Sequence, residues 1–95
     1  MIIALDYDET YTEDPELWNS FIKSANDRGH EVLCVTMRYN NIYEAPDVLE
    51  TVGKLCRVIF TERLAKEEYV KSHGINPDIW IDDRPYYIYQ NSRNI

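Results

Sequence analysis

This 95-residue chain has little glycine and proline, three and four residues respectively, and only two cysteines. With so few chain breakers, and 44% hydrophobic and 13% aromatic residues, it is no disordered or low-complexity segment. Its length suits one domain, residues 1–95, with no room for a second core. No apolar run approaches the ~20 residues of a bilayer span, so no membrane segment, signal core or anchor is expected. Cations are scarce as well: ten Lys and Arg stand against seventeen Asp and Glu, a formal charge of −7. That balance argues against broad capture of a nucleic-acid backbone and against docking on an anionic membrane. Phosphorylated substrates stay open, because a bound divalent cation inverts the local field. Cys34 and Cys56 lie in apolar stretches without CxxC spacing or a neighbouring histidine. They read as reduced, buried thiols of a cytoplasmic protein rather than as a disulfide.

What is present alternates. Met1–Leu5 is apolar and β-capable and ends in the polar run Asp6-Tyr7-Asp8-Glu9-Thr10. Asp14 is placed to cap a helix with Pro15 at its first position. Leu17, Trp18, Phe21, Ile22 and Ala25 then recur at helical spacing until Arg28-Gly29 stops it. Glu31–Thr36 reads as a second strand. A weaker helix falls between Asn41 and Val52, starting near Pro46 and ending before Gly53. Arg57–Thr61 is a third strand, Leu64–His73 a helix closed by Gly74, and Ile79-Trp80-Ile81 a fourth strand. The tyrosine-rich end from Tyr86 onward fits either a short edge strand or a packed tail. This order predicts an α/β fold: a small Rossmann-like three-layer sandwich whose short, mainly parallel sheet is covered by helices on both faces.

In such sheets ligands bind beyond the carboxyl ends of the strands. Those positions hold Asp6, Asp8 and Thr10, then Thr36 and Arg38, then Thr61, Glu62 and Arg63, and finally Asp82 and Asp83. Four of these carboxylates, Asp6 and Asp8 from the first strand and Asp82 and Asp83 from the fourth, would gather on one rim and repel one another unless a cation sits among them. A hard divalent ion suits oxygen ligands, and Mg²⁺ suits a few carboxylates with waters and a phosphate oxygen.

With these residues in place, the chain resembles the haloacid dehalogenase (HAD) superfamily in its small phosphatase form. Asp6-Tyr7-Asp8-Glu9-Thr10 matches the first motif, Val35-Thr36 the second, Lys66 the third and Ile81-Asp82-Asp83 the fourth. All four fall in order over residues 1 to 85. The resemblance implies Asp6 as the nucleophile that forms an aspartyl-phosphate. Asp8 is implied as the acid and base for the leaving oxygen and the water. It implies Thr36, with Thr10, for the phosphoryl oxygens, and Lys66 for neutralising charge on them, with Lys71 as its competitor. The implied metal ligands are Asp6, Asp8 through its backbone carbonyl, Asp82 and Asp83, the last two bound directly or through water. A second Asp at position 8 marks phosphatases, whereas dehalogenases lack it.

Two departures stand out. Glu9 occupies a position most often glycine in the family and adds negative charge near the entrance. Arg38 follows Met37, placed either to hold a substrate phosphate or base or to make a structural salt bridge. The connections after Thr10 and after Thr61 leave no room for a cap domain, so an open site is expected. These features together predict a Mg²⁺-dependent phosphomonoester hydrolase, with a nucleotide favoured as substrate and a nucleic-acid terminus or phosphoprotein also open. The alternative is a slow or inactive module that holds a phosphorylated or nucleotide ligand. The tyrosines near the carboxyl end predict either cover for a sheet edge or a homo-oligomer contact.

Overall fold

Residues 1–92 are described by a computed structural model, in which strands and helices alternate as the apolar runs require. The strands are β1 (Ile2–Leu5), β2 (Glu31–Thr36), β3 (Arg57–Phe60) and β4 (Ile79–Ile81). All pair in parallel in the order β3-β2-β1-β4, with Leu5 level with both Cys34 and Ile81, and Thr36 level with Phe60. The helices are α1 (Pro15–Asp27), α2 (Pro46–Glu50) and α3 (Lys66–Ser72).

Alternation along the strands sorts the core into two layers. Ile3, Leu5, Val32, Cys34 and Phe60 face α1 and α2 through Ile22, Ala25, Val48 and Val52. Ala4, Leu33, Val35 and Ile59 face Val70 of α3 on the other side. The result is the small Rossmann-like sandwich, its sheet wholly parallel. Cys34 and Cys56 are free, and burial pushes both thiols up, Cys56 to about 11.

Local signals explain most helix ends. The Leu17 N–H donates to Asp14 Oδ1 at 3.2 Å, and Gly29 leaves α1 at φ 83°. Leu17 itself is 55% exposed, because the buried stripe of α1 runs through Ile22 and Ala25 with Trp18 and Phe21 at its margin. α2 is shorter than the sequence suggested. It gives way to a 3₁₀ turn, Val52–Lys54, that contains Gly53, where a Cβ would come within 3.2 Å of the Val48 carbonyl. The glycine permits that close approach rather than closing the helix. α3 begins two residues later than expected, at Lys66.

The edge-strand reading of the tyrosine-rich tail is overturned for the described residues. Pro85–Ile88 forms a 3₁₀ turn that buries Ile88, and the chain then packs on the start of α3. Asn91 Oδ1 accepts from the Ala65 N–H at 2.7 Å, and the Ser92 N–H donates to the Arg63 carbonyl at 2.9 Å. The rest of that expectation, residues 93–95, lies outside the described residues. Among the described residues, no helix is long and apolar enough to cross a membrane.

The strand order has one reversal. β2 and β3 lie to one side of β1, and the chain then crosses back to place β4 on the other. The crevice of such a sheet opens at that reversal, between the ends of β1 and β4. Only a 3₁₀ turn, Tyr11–Glu13, stands between β1 and α1, so nothing is inserted over the crevice there.

Candidate active site

The loop after β1 is held from both sides. The Asp6 N–H donates to the Ile81 carbonyl at 2.9 Å, extending the ladder with β4. Alternation then sends the Tyr7 ring into the core, stacked on Tyr11 at 5.6 Å, and leaves Asp6 and Asp8 facing the crevice. The loop turns at Glu9, whose φ of 61° lies in the left-handed region that favours glycine. The Glu9 N–H is satisfied by Thr12 Oγ1 at 3.0 Å.

Asp6, Asp82 and Asp83 meet at the crevice. Each brings one carboxylate oxygen within 4.8 Å of the others. Lys66 Nζ reaches over from α3 and donates to Asp6 Oδ1 at 2.8 Å and Asp82 Oδ2 at 2.6 Å. It is 3% exposed. A lysine in the first turn of a helix opposes the helix dipole, so its position serves the carboxylates rather than the helix. Lys71 is exposed on the same helix and lines a different cavity. Of the two lysines, Lys66 is the one that meets the carboxylates.

Burial lifts the Asp6 carboxyl from its ordinary range to about 7, against the pull of Lys66; the charge of Asp82 and a hydrogen bond with Asp83 add to the rise. For Asp83, burial works in the same sense, but hydrogen bonds from Asp6 and Thr10 outweigh it and hold the carboxyl low. Three clustered carboxylates with hard oxygen donors fit a small divalent cation.

The side chains of Asp8 and Thr10 have partners of their own. Asp8 is absent from the carboxylate cluster, because Arg38 holds both its oxygens: Nε donates to Oδ2 at 3.0 Å and Nη2 to Oδ1 at 2.7 Å. Thr10 is not among the residues that line the cleft with Asp6 and Thr36. Its hydroxyl faces Asp83 Oδ1 at 3.0 Å and Asp6 Oδ2 at 3.3 Å, so it orients the cluster instead. Thr36 does line the cleft, buried, with its hydroxyl oxygen accepting from the Arg38 N–H at 3.3 Å. Arg38 pairs with Asp8 and also lines the cleft.

The cleft these residues line holds about 580 Å³. Sequence reasoning assigned no role to several of its walls. Arg63 crosses from the end of β3 to Glu44 at 3.1 Å, with its guanidinium over the Tyr39 ring. Arg84 spans the entrance to Glu9 at 2.9 Å, and Tyr87 and Ser92 come from the tail. The signal for Arg63 was its strand-end position; the tail carried none, because its fold depends on contact with α3. Six carboxylate and four cationic side chains line the cleft, leaving two negative charges that one divalent cation would cancel. No family model, curated protein or solved structure matches the chain.

Proposed function

We propose that this protein is a Mg²⁺-dependent phosphatase of the HAD type, working through an aspartyl-phosphate on Asp6. The observation that carries the reading is the convergence of Asp6, Lys66, Asp82 and Asp83 at the one reversal in strand order. Asp6, Asp82 and Asp83 would hold the cation, whose charge would lower the repulsion between the nucleophile and an anionic substrate. An Asp6 oxygen attacks phosphorus, and the bond from phosphorus to the leaving oxygen breaks with its electron pair on that oxygen, which takes a proton from Asp8. Lys66 neutralises charge on the nucleophile and the transferring group. Water then attacks phosphorus, Asp8 takes its proton, and the Asp6 carboxylate is released. Thr36 presents a buried hydroxyl to the phosphoryl oxygens from the neighbouring strand end.

A second reading, a module that binds a phosphorylated or nucleotide ligand with little turnover, is favoured by the ion pairs across the mouth of the cleft. Wild type and Asp6→Asn are assayed on an aryl phosphate and a nucleotide panel, in Mg²⁺ and in EDTA. Metal-dependent phosphate release that is lost in Asp6→Asn supports the enzyme. Tight uptake without release, unchanged on longer incubation, supports the module and removes the enzyme.

A further inference from the structure

The sheet is open along β3. In the order β3-β2-β1-β4 this strand is paired on one side only, among the described residues. The Thr61 N–H donates to the Thr36 carbonyl at 2.8 Å, which sets the backbone groups of Ile59 and Thr61 toward β2. Alternation then turns the N–H and C=O of Val58 and Phe60 outward. Among the described residues, nothing meets those four groups on the open side. A cavity of about 280 Å³ runs beside them, lined by Ile59, Ile75 and Tyr69, the last stacked on His73 at 4.6 Å. Edge strands are usually guarded by proline, a bulge or a charge in mid-strand, and Val58-Ile59-Phe60 has none of these. The one charge of the strand, Arg57, stands at its first position, exposed and outside every ion pair among the described residues. Glu62 lies at the opposite end of the same cavity.

We propose that a second copy of this chain docks here, its β3 running antiparallel to the first about a two-fold axis at Ile59. In that register Val58 of each copy stands opposite the partner's Phe60. Each such pair exchanges two N–H···O=C bonds, so all the outward groups are satisfied at once. Neighbouring registers do worse. They set Phe60 against Cys56 or Val58 against Glu62, and both of those N–H groups are already used. Cys56 donates to the Val52 carbonyl at 3.1 Å and Glu62 to the Arg38 carbonyl at 3.3 Å. On the axis, Ile59 meets the partner's Ile59 in the closer kind of cross-strand pair. Charge fits as well, because the two-fold brings Arg57 of each copy to the end of the partner strand that carries Glu62. A two-fold contact uses one patch on both copies and closes at two, whereas parallel addition would leave an edge for a further copy. This surface is independent of the phosphatase reading and of the tyrosine-rich tail.

The test is the mass of the whole chain by sedimentation equilibrium, from micromolar to submillimolar concentration, with amide hydrogen exchange read residue by residue. Wild type should pass from one chain of 11.3 kDa to two as it is concentrated. Over the same range the Val58 and Phe60 amides should exchange more slowly, while that of Ile59, already turned to β2, changes far less. Val58→Pro removes an outward donor that the single chain does not use, and edge strands accept proline at such a position. It deletes half of the new hydrogen bonds and should weaken the dimer by roughly ten-fold or more. Arg57→Glu sets like charges together at each end and should also weaken it, and adding Glu62→Arg should restore the pairing. One-chain mass at every concentration overturns the inference and leaves the edge to an extended segment of another protein. A dimer equally strong in Val58→Pro and Arg57→Glu, or masses that climb past two chains, overturn it too. If the variants do not fold, exchange in wild type decides: a dimer whose Val58 and Phe60 amides are no slower than in the single chain pairs elsewhere, and the inference fails.

Discussion

Raising the pH of the metal-free protein should weaken it, and the residue responsible is Asp6. Its carboxyl titrates near 7 in the folded chain and near 3.8 when free, because burial disfavours its charge more than Lys66 restores it. Between those values the folded protein keeps a proton that the unfolded chain has already lost. Stability therefore falls as pH rises through this window and levels off above about 7. Three units at about 1.36 kcal/mol each set an upper bound of roughly 4 kcal/mol. A domain of this size has only about 5–15 kcal/mol in all, so the loss should be visible. Asp83, whose carboxyl is held low, contributes in the opposite sense, and its window lies below the ordinary carboxylate range. Denaturant melts in EDTA at half-unit steps from pH 4 to 8 isolate Asp6 when wild type is compared with Asp6→Asn. The neutral amide mimics the protonated acid, so the two should match near pH 4 and the variant should be the more stable above pH 7. Added Mg²⁺ should stabilise wild type most at pH 8, where the carboxylate is free to bind it. Parallel curves, or a variant weaker than wild type at pH 8, would show that the Lys66 ion pair outweighs burial and refute the reasoning.

Three further outcomes are expected. Lys66→Met leaves Asp6 and Asp82 buried together without their shared cation, so it should cost about 3–5 kcal/mol, whereas Lys71→Ala should change melting little. Thr10→Val removes the hydroxyl behind Asp6 and Asp83 and should cost about 1 kcal/mol by denaturant melt, with weaker Mg²⁺ binding by calorimetry. Glu9→Gly relieves a left-handed backbone at φ 61°, so thermal melts should show a gain of up to about 1 kcal/mol; a loss would mean that the turn depends on the glutamate side chain.

Much of this geometry was readable in advance because strand ends are set by local patterns. Once Met1–Leu5 and Ile79–Ile81 read as parallel strands, Asp6 and Asp82 had to emerge on the same rim. Asp14 with Pro15, and later Gly29 and Gly74, marked helix ends through short-range chemistry. Pairing across loops was less accessible. Alternation placed Asp8 on the same side as Asp6, yet nothing local said that its carboxylate would turn to Arg38. That depends on residues 39–45, which fold back when Asn41 Oδ1 accepts from the Tyr43 and Glu44 N–H groups. The tail misled for a similar reason. Its tyrosines favour strands, but Pro85 and the Asp82 Oδ1 bond to the Arg84 N–H turn the chain into a 3₁₀ turn instead.

The packing of segment 84–92 bears on how the protein is handled. Asn91 fastens the peptide just ahead of Lys66, and Ser92 fastens Arg63, so shortening the chain past Tyr89 would unpin the lysine's helix and one side of the cleft together. An affinity handle fused directly behind these residues thus perturbs the cleft, and binding or turnover assayed with one attached should be compared with the same protein after its removal.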